Sequence, residues 1–167
     1  MLLIRYRGDL SYDEFALASL RFHGRRPGLW VHRIWVDDEL SLRGGREIWG
    51  LPKKLAEFSW TSDTTVHISD RTGDIAALSF ASRSRGLTLP LKMRGFGTLG
   101  DTLLLSTFSA RGRIRPATLD ILGWADTLPP LSRRSAAAAF HSPALRATVD
   151  APLRLGPVPS SPLRHGG

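Results

Sequence analysis

The sequence predicts a mostly β fold of the α+β class, built as a sandwich or a barrel. Three observations predict it. Segments rich in β-branched and aromatic residues recur along the chain, Gly, Asp, Ser and Thr separate them, and only two stretches have a helical pattern. Frequent short strands of this kind are typical of sandwiches and barrels. The length of 167 residues suits one compact domain.

Eight segments are predicted as strands. One of them, LWVHRIWV at 29–36, has the β-branched and aromatic side chains that pack well on a pleated surface. In chain order the eight are residues 2–7, 29–36, 55–60, 65–70, 75–82, 87–92, 102–110 and 144–155.

Two segments are predicted as helices. The first covers roughly 38–49 and stops before Pro52, and the second, SRRSAAAAFH at 132–141, combines strong helix formers with a Ser cap. The last residues are rich in Pro, Gly and Ser, which predicts a flexible tail. The predicted organisation is therefore a single domain over 1–157 and a tail over 158–167.

Composition argues against several classes of function. The chain has no cysteine, which excludes thiol catalysis, disulfides and iron–sulfur clusters. Its formal net charge is +8, but the arginines are scattered and no nucleic-acid-binding motif is present, so we predict no nucleic-acid partner. The histidines lack metal-site spacing, and GFGTLG at 95–100 precedes a strand-like segment instead of a dinucleotide-binding helix. Neither a metal nor an organic cofactor is predicted.

The sequence also bears on location. Arg5 and Arg7 interrupt the short apolar start, and 18 apolar residues nowhere run together. We therefore expect no signal peptide and no membrane contact. The protein is predicted to be cytoplasmic.

Residues 44–54, GGREIWGLPKK, end in two of the three lysines. An arbitrary Lys–Lys pair is usually two exposed charges. Lys53 and Lys54, however, lie between apolar segments, and Pro52 ends the preceding helix and leads into a strand. Neighbouring side chains of a strand point to opposite faces, so one lysine can enter a pocket. A neutral amine there would attack carbonyl carbons, and burial with help from a second ammonium would favour the neutral form.

Residues 28–56, GLWVHRIWVDDELSLRGGREIWGLPKKLA, resemble the acetoacetate decarboxylase family. In that family a hydrophobic strand and a short helix ending in G-R-E precede a proline and a lysine pair. A gapped extension of the match reaches Tyr-Asp-Glu at 12–14. The match is good over residues 1–60, and from 61 onward only the strand pattern is compatible.

The resemblance implies a closed antiparallel β-barrel or cone with two or three short helices, assembled as a homo-oligomer. It also implies a Schiff-base-forming lyase that acts on a keto acid or related small carbonyl compound without a cofactor. The imine-forming lysine of the family falls on Lys53, its assisting neighbour on Lys54, and its active-site glutamate on Glu14. For Glu14, a solvated acid or a helix cap near Ser11 is the alternative.

Roles are also predicted for four further residues. Arg46 and Glu47 match the G-R-E itself and are interpreted as structural support or subunit contacts. Trp30 and Trp49 are core or interface residues by type, and are also candidates for the wall of a pocket.

This sequence departs from the family's pattern in two respects that concern the substrate, and one is that a second family glutamate, expected before Gly8, has no counterpart near Arg5. Longer members carry an N-terminal arginine that binds the substrate carboxylate, and this chain starts after that position. Arg5, Arg33 or another arginine would have to replace it, since a guanidinium fork suits a carboxylate. Two alternatives therefore stay open, a binding protein without turnover on the same fold, and aldolase or dehydratase chemistry.

Overall fold

The computed structural model describes residues 1–7, 10–83, 85–131 and 138–159, and the backbone of 164–165. Within these residues the chain forms one α-helix and thirteen β-strands. In chain order they are β1 (Leu2–Arg7), β2 (Ser11–His23), β3 (Arg26–Val36), α1 (Glu39–Glu47), β4 (Lys53–Leu55), β5 (Glu57–Ser62), β6 (Thr65–Asp70), β7 (Gly73–Ser82), β8 (Leu87–Leu99), β9 (Thr102–Trp124), β10 (Ala139–His141), β11 (Leu145–Val149), β12 (Leu153–Pro157) and β13 (Arg164–His165).

The chain divides into two compact units. Unit 1 comprises Met1–Leu55, Leu91–Ala110 and the described residues from Ala147 onward. Here β1, β2 and β3 form an antiparallel meander, and β4 runs parallel to the end of β3. The start of β9 pairs with β12, and β8 runs parallel to β3. Buried apolar side chains of β2 and β3 form part of the core, with Phe15 stacked on Trp35 at 5.7 Å between ring centroids.

Unit 2 comprises Ala56–Pro90 and the described residues of Arg111–Arg146. β5, β6 and β7 form a second antiparallel meander, and the later part of β9 pairs with β7. Val66, Ile68 and Leu78 lie at the centre of this unit, each at most 1% exposed. The alternation of buried and exposed residues along β6 is that of a strand with one face on a core.

The helix α1 begins at a clear capping signal. Asp38 is the N-cap, and its carboxylate accepts a hydrogen bond of 2.7 Å from the backbone N–H of Ser41. After the helix, Gly50 adopts a φ of +63°, which favours glycine, and its carbonyl accepts a hydrogen bond from the N–H of Thr98. This turn leads from α1 into β4, whose first residue is Lys53.

The mostly β prediction is confirmed, but two finer expectations are not. Strand pairing within the described residues of each unit follows an open path, so the closed barrel is not confirmed. Only the first predicted helix exists among the described residues, as α1. The second was wrong at 139–141, where pairing with β9 makes β10 a strand, and 132–137 lie outside the described residues.

Several strand predictions match, but β2, β10, β13 and the part of β9 after residue 110 were not predicted as strands. β6 has the predicted bounds, β3 contains 29–36, and the segment 144–155 divides into β11 and β12. One of the missed strands is β2, whose SYDEFALASLRFH contains good helix formers. It is a strand because β1 and β3 pair with it on both sides, which outweighs local propensity.

The domain and tail predictions stay predictions. Part of 158–167 lies outside the described residues, and within it the backbone of β13 pairs with β2. Across the part of the chain that is described, no helix is both long and apolar enough to cross a membrane.

Candidate functional site

Lys53 is the first residue of β4 and is a buried lysine. Its side chain is 7% exposed, whereas Lys54 and Leu55, which follow it in β4, are exposed. β4 pairs with β3 so that Lys53 lies beside Ile34. Of the two adjacent lysines, Lys53 is therefore the buried one and Lys54 the exposed one.

Two oxygen atoms contact the amine of Lys53. Its Nζ donates to Oε2 of Glu14 at 2.8 Å and to Oγ of Ser41 at 2.9 Å. The Glu14 side chain is only 14% exposed, so this ion pair is largely shielded from solvent. Because β2 pairs with β3 and β3 with β4, the sheet brings together two residues that lie 39 positions apart.

Ser41 was missed by the sequence analysis. It lies in the first turn of α1 and is 7% exposed. Its backbone N–H is used by the cap at Asp38, which leaves the hydroxyl free to contact Lys53. A serine three positions after an N-cap residue is an ordinary helix residue, so no local pattern marks it.

Tyr12 is the fourth member of this group. The Nζ of Lys53 lies 5.4 Å from the centroid of the Tyr12 ring, within the range of a cation–π contact. Burial raises the pKa of Tyr12 to about 12, with the charge of Glu14 acting in the same direction and a hydrogen bond with Ser41 in the opposite one. The Tyr12 hydroxyl therefore stays protonated at neutral pH. We call Lys53, Glu14, Ser41 and Tyr12 the Lys53 cluster.

The neighbouring carboxylate, Asp13, belongs to a separate arrangement. Its side chain is 4% exposed and contacts Nη2 of Arg7 at 3.0 Å and Nε of Arg5 at 4.0 Å. Adjacent residues of a strand point to opposite faces, so Asp13 and Arg5 lie on the face of β2 away from Glu14. This position argues against Arg5 as the replacement carboxylate clamp.

Arg46 and Gly45 connect α1 to the lysine. The Nε of Arg46 donates to the carbonyl of Lys53 at 2.8 Å, while Glu47 is exposed at the end of the helix. A Cβ atom added to Gly45 would overlap Cδ of Lys53 and lie 2.6 Å from its Cε. The glycine of G-R-E, Gly45, therefore has a physical reason, because the helix backbone packs directly on the lysine stem.

The two tryptophans make other contacts. Trp30 packs against the buried cluster of Phe96, Leu103 and Leu105. The indole N–H of Trp49 lies 3.3 Å from the carbonyl of Asp150. Their role as a pocket wall stays a prediction. Among the described residues, no group of three or more His, Asp or Glu side chains is arranged to hold a metal ion.

Two solved structures share the fold. One, from "Structural Studies of Acetoacetate Decarboxylase", has a TM-score of 0.51 and 18% identity and covers 85% of this chain and 69% of its own. The other, acetoacetate decarboxylase from Legionella pneumophila, has a TM-score of 0.50 and 21% identity over 90% of this chain and 67% of its own.

Sequence comparison shows the family itself. Residues 5–96, more than half of the chain, match the family described as Acetoacetate decarboxylase (ADC). The chain belongs to this family.

The curated relatives match over shorter segments. "Acetoacetate decarboxylase" of Acidiphilium cryptum and "Acetoacetate decarboxylase 1" of Bradyrhizobium diazoefficiens are each 51% identical over 49 residues, which is 29% of this chain and 19% of theirs. "Acetoacetate decarboxylase 2" of Mesorhizobium japonicum is 31% identical over 77 residues, 46% of this chain and 28% of its own. The chain thus matches about a fifth of the length of the first two relatives.

Proposed function

We propose that this protein is a decarboxylase-like lyase that forms a Schiff base between Lys53 and a keto acid or related small carbonyl compound. One observation carries the proposal. The buried amine of Lys53 lies between a carboxylate and a hydroxyl, at 2.8 Å and 2.9 Å. The relatives named as acetoacetate decarboxylases support a β-keto acid as the substrate class.

The proposed reaction begins at Nζ of Lys53. The neutral amine adds to the ketone carbon, and loss of water from the carbinolamine gives an iminium ion. The iminium withdraws the electron pair of the C–C bond to the carboxylate, and CO₂ leaves. The resulting enamine is protonated on carbon, and hydrolysis returns the ketone and the free amine.

Glu14 is proposed as the proton carrier of this sequence. Its Oε2 already accepts a hydrogen bond from Nζ, so it can take the proton that the nitrogen loses after it adds to the carbonyl. The carboxylic acid then formed can protonate the departing hydroxyl or, later, the enamine carbon. Lys54, on the exposed face, is proposed to assist only through its charge. The proposal further includes a cytoplasmic, homo-oligomeric protein without a nucleic-acid partner.

The test is reductive trapping with a matched pair of variants. Wild-type protein is incubated with acetoacetate and borohydride, and the modified residue is identified by peptide mass spectrometry. We expect an adduct at Lys53 that Lys53→Met abolishes and Lys54→Met retains, because only Lys53 is buried beside Glu14. Release of acetone is measured in parallel.

Two results would count against the proposal. Absence of an adduct at Lys53 across a panel of keto acids would refute the imine. Thermal stabilisation by a keto acid with an adduct but without any product would support the binding protein that lacks turnover.

A further inference from the structure

The two acceptors of Lys53 constrain the direction of its lone pair. A neutral amine has four tetrahedral directions at nitrogen: the bond to Cε, two N–H bonds and the lone pair. Glu14 and Ser41 each accept one N–H, at 2.8 Å and 2.9 Å. With the Cε bond fixed as well, one direction remains at the nitrogen, which holds the third N–H in the charged amine of the ion pair and the lone pair in the neutral amine that attacks a carbonyl carbon.

We infer that Ser41 is a positioning residue whose hydroxyl, together with Glu14, aims the lone pair of Lys53 at the carbonyl carbon. The inference rests on the proposed function, since it concerns the attack of the same amine. Glu14 alone would leave the amine free to rotate about the Nζ–Cε bond between staggered positions. The second acceptor removes that freedom, and a correctly aligned nucleophile reacts faster than one that must find its orientation.

The structure holds Ser41 in place from two sides. Its backbone N–H is fixed by the carboxylate of Asp38 at 2.7 Å, and the residue is 7% exposed. The Tyr12 ring lies beside the same amine, with 5.4 Å between Nζ of Lys53 and the ring centroid. The lysine is fixed as well, because the backbone at Gly45 packs on its stem. Both partners of the Nζ–Oγ contact are thus held by neighbouring groups.

The same geometry makes Ser41 a clean target for substitution. The cap of α1 uses the backbone N–H of Ser41, not its hydroxyl, so Ser41→Ala keeps the cap. Alanine also has a higher helix propensity than serine. The variant therefore removes the contact with Nζ and leaves the helix intact.

The experiment measures the rate at which the imine forms. Wild-type protein is mixed with acetoacetate, quenched with borohydride at increasing times, and the adduct at Lys53 is quantified. We expect Ser41→Ala to slow adduct formation about tenfold, the size expected from the loss of one hydrogen bond to a charged or reacting group. Ser41→Thr keeps a hydroxyl and should retain more of the rate. Ser59→Ala, the same change at an exposed residue of β5, should match wild type.

The outcomes separate the inference from the proposed function. If wild-type protein forms no adduct at Lys53, the proposed function fails, and the inference fails with it. If wild type forms the adduct and Ser41→Ala forms it equally fast, only the inference is overturned. Equal losses in Ser41→Ala and Ser41→Thr would also overturn it, because threonine keeps the hydroxyl. Should Ser41→Ala not fold, Ser41→Cys decides, because its thiol is a weak acceptor of similar shape: a rate lowered about threefold supports the inference, and an unchanged rate overturns it.

Discussion

Each unit contains a cluster in which a basic side chain contacts a serine hydroxyl, and the two clusters differ in the neighbouring charge. In the Lys53 cluster the amine contacts Ser41 and the carboxylate of Glu14. In unit 2 the Nδ1 of His141 lies 3.0 Å from Oγ of Ser82. Burial lowers the pKa of His141, and the positive charge of Arg115 lowers it further. We call His141, Ser82 and Arg115 the His141 cluster.

On the proposed function, this difference makes the Lys53 cluster the better candidate for proton-transfer chemistry. Lys53 has a carboxylate at hydrogen-bonding distance with which it can exchange a proton. His141 has a guanidinium nearby and packs on Phe80, with 5.1 Å between ring centroids. The Nε of Arg115 is buried and finds no hydrogen-bond partner within the described residues. A basic residue that contacts a serine is therefore not sufficient for proton exchange. The charge of the neighbouring side chain decides whether a proton acceptor is within reach.

The largest effect is expected from breaking the Lys53–Glu14 ion pair, which distinguishes the Lys53 cluster from the His141 cluster. Lys53→Met leaves Glu14 buried without its partner, which should lower the free energy of unfolding by about 3 kcal/mol. Urea denaturation measures the change. Adding Glu14→Gln to Lys53→Met should recover part of the loss, because the uncompensated charge is gone. A double variant no more stable than Lys53→Met would show that the ion pair does not account for the effect.

Two adjacent glycines of α1 allow a sharper test of the same cluster. A methyl group at Gly45 would collide with the Lys53 stem, so Gly45→Ala should lower the free energy of unfolding by about 2 kcal/mol and slow imine trapping. Gly44→Ala is the matched control, since its added Cβ meets only Trp49 and Ile48, at 3.8 Å and 4.0 Å. That variant should be neutral or more stable by about 0.5 kcal/mol. Similar losses in both variants would contradict the close packing of the helix on the lysine.

The third prediction concerns the protonation of Tyr12. Its pKa is about 12 in the folded protein, against an ordinary value of 10.0 for tyrosine, so the unfolded chain loses this proton first. The stability that the group contributes is thus fully present below pH 10 and is lost as pH rises toward 12. Thermal unfolding as a function of pH, compared with Tyr12→Phe, measures it. The variant should lose this part of the alkaline decline, and identical profiles would refute the assignment.

The smallest expected effect tests the other side of the comparison. Because the pKa of His141 is lowered from 6.5, the folded protein binds fewer protons than the unfolded chain as pH falls below that value. Its stability should therefore decrease slightly on acidification through this range. Arg115→Met should raise the pKa of His141, as followed by NMR titration of the imidazole. No change in the titration would show that burial alone sets it.

The sequence predicted the parts of the site that local patterns encode. Pro52 and the adjacent lysines predicted that a strand would turn one amine inward, and β4 does so with Lys53. The segment before Pro52 predicted a helix, which is α1. Ser41 and the strand β2 were missed for the same reason. Each depends on a partner that is distant in sequence. The residues of β2 by themselves favour a helix, and no local pattern marks Ser41 as a site residue.

By itself, then, the sequence determined the mostly β class and the family, because strand propensity and the G-R-E…P-K-K spacing are properties of short segments. Only the tertiary structure decided which atoms surround the amine. The contacts of Nζ with Glu14 and Ser41 join three separate elements, β2, α1 and β4, and their distances follow from strand register and helix capping. Pairing across the sheet, which no local pattern fixes, sets that register.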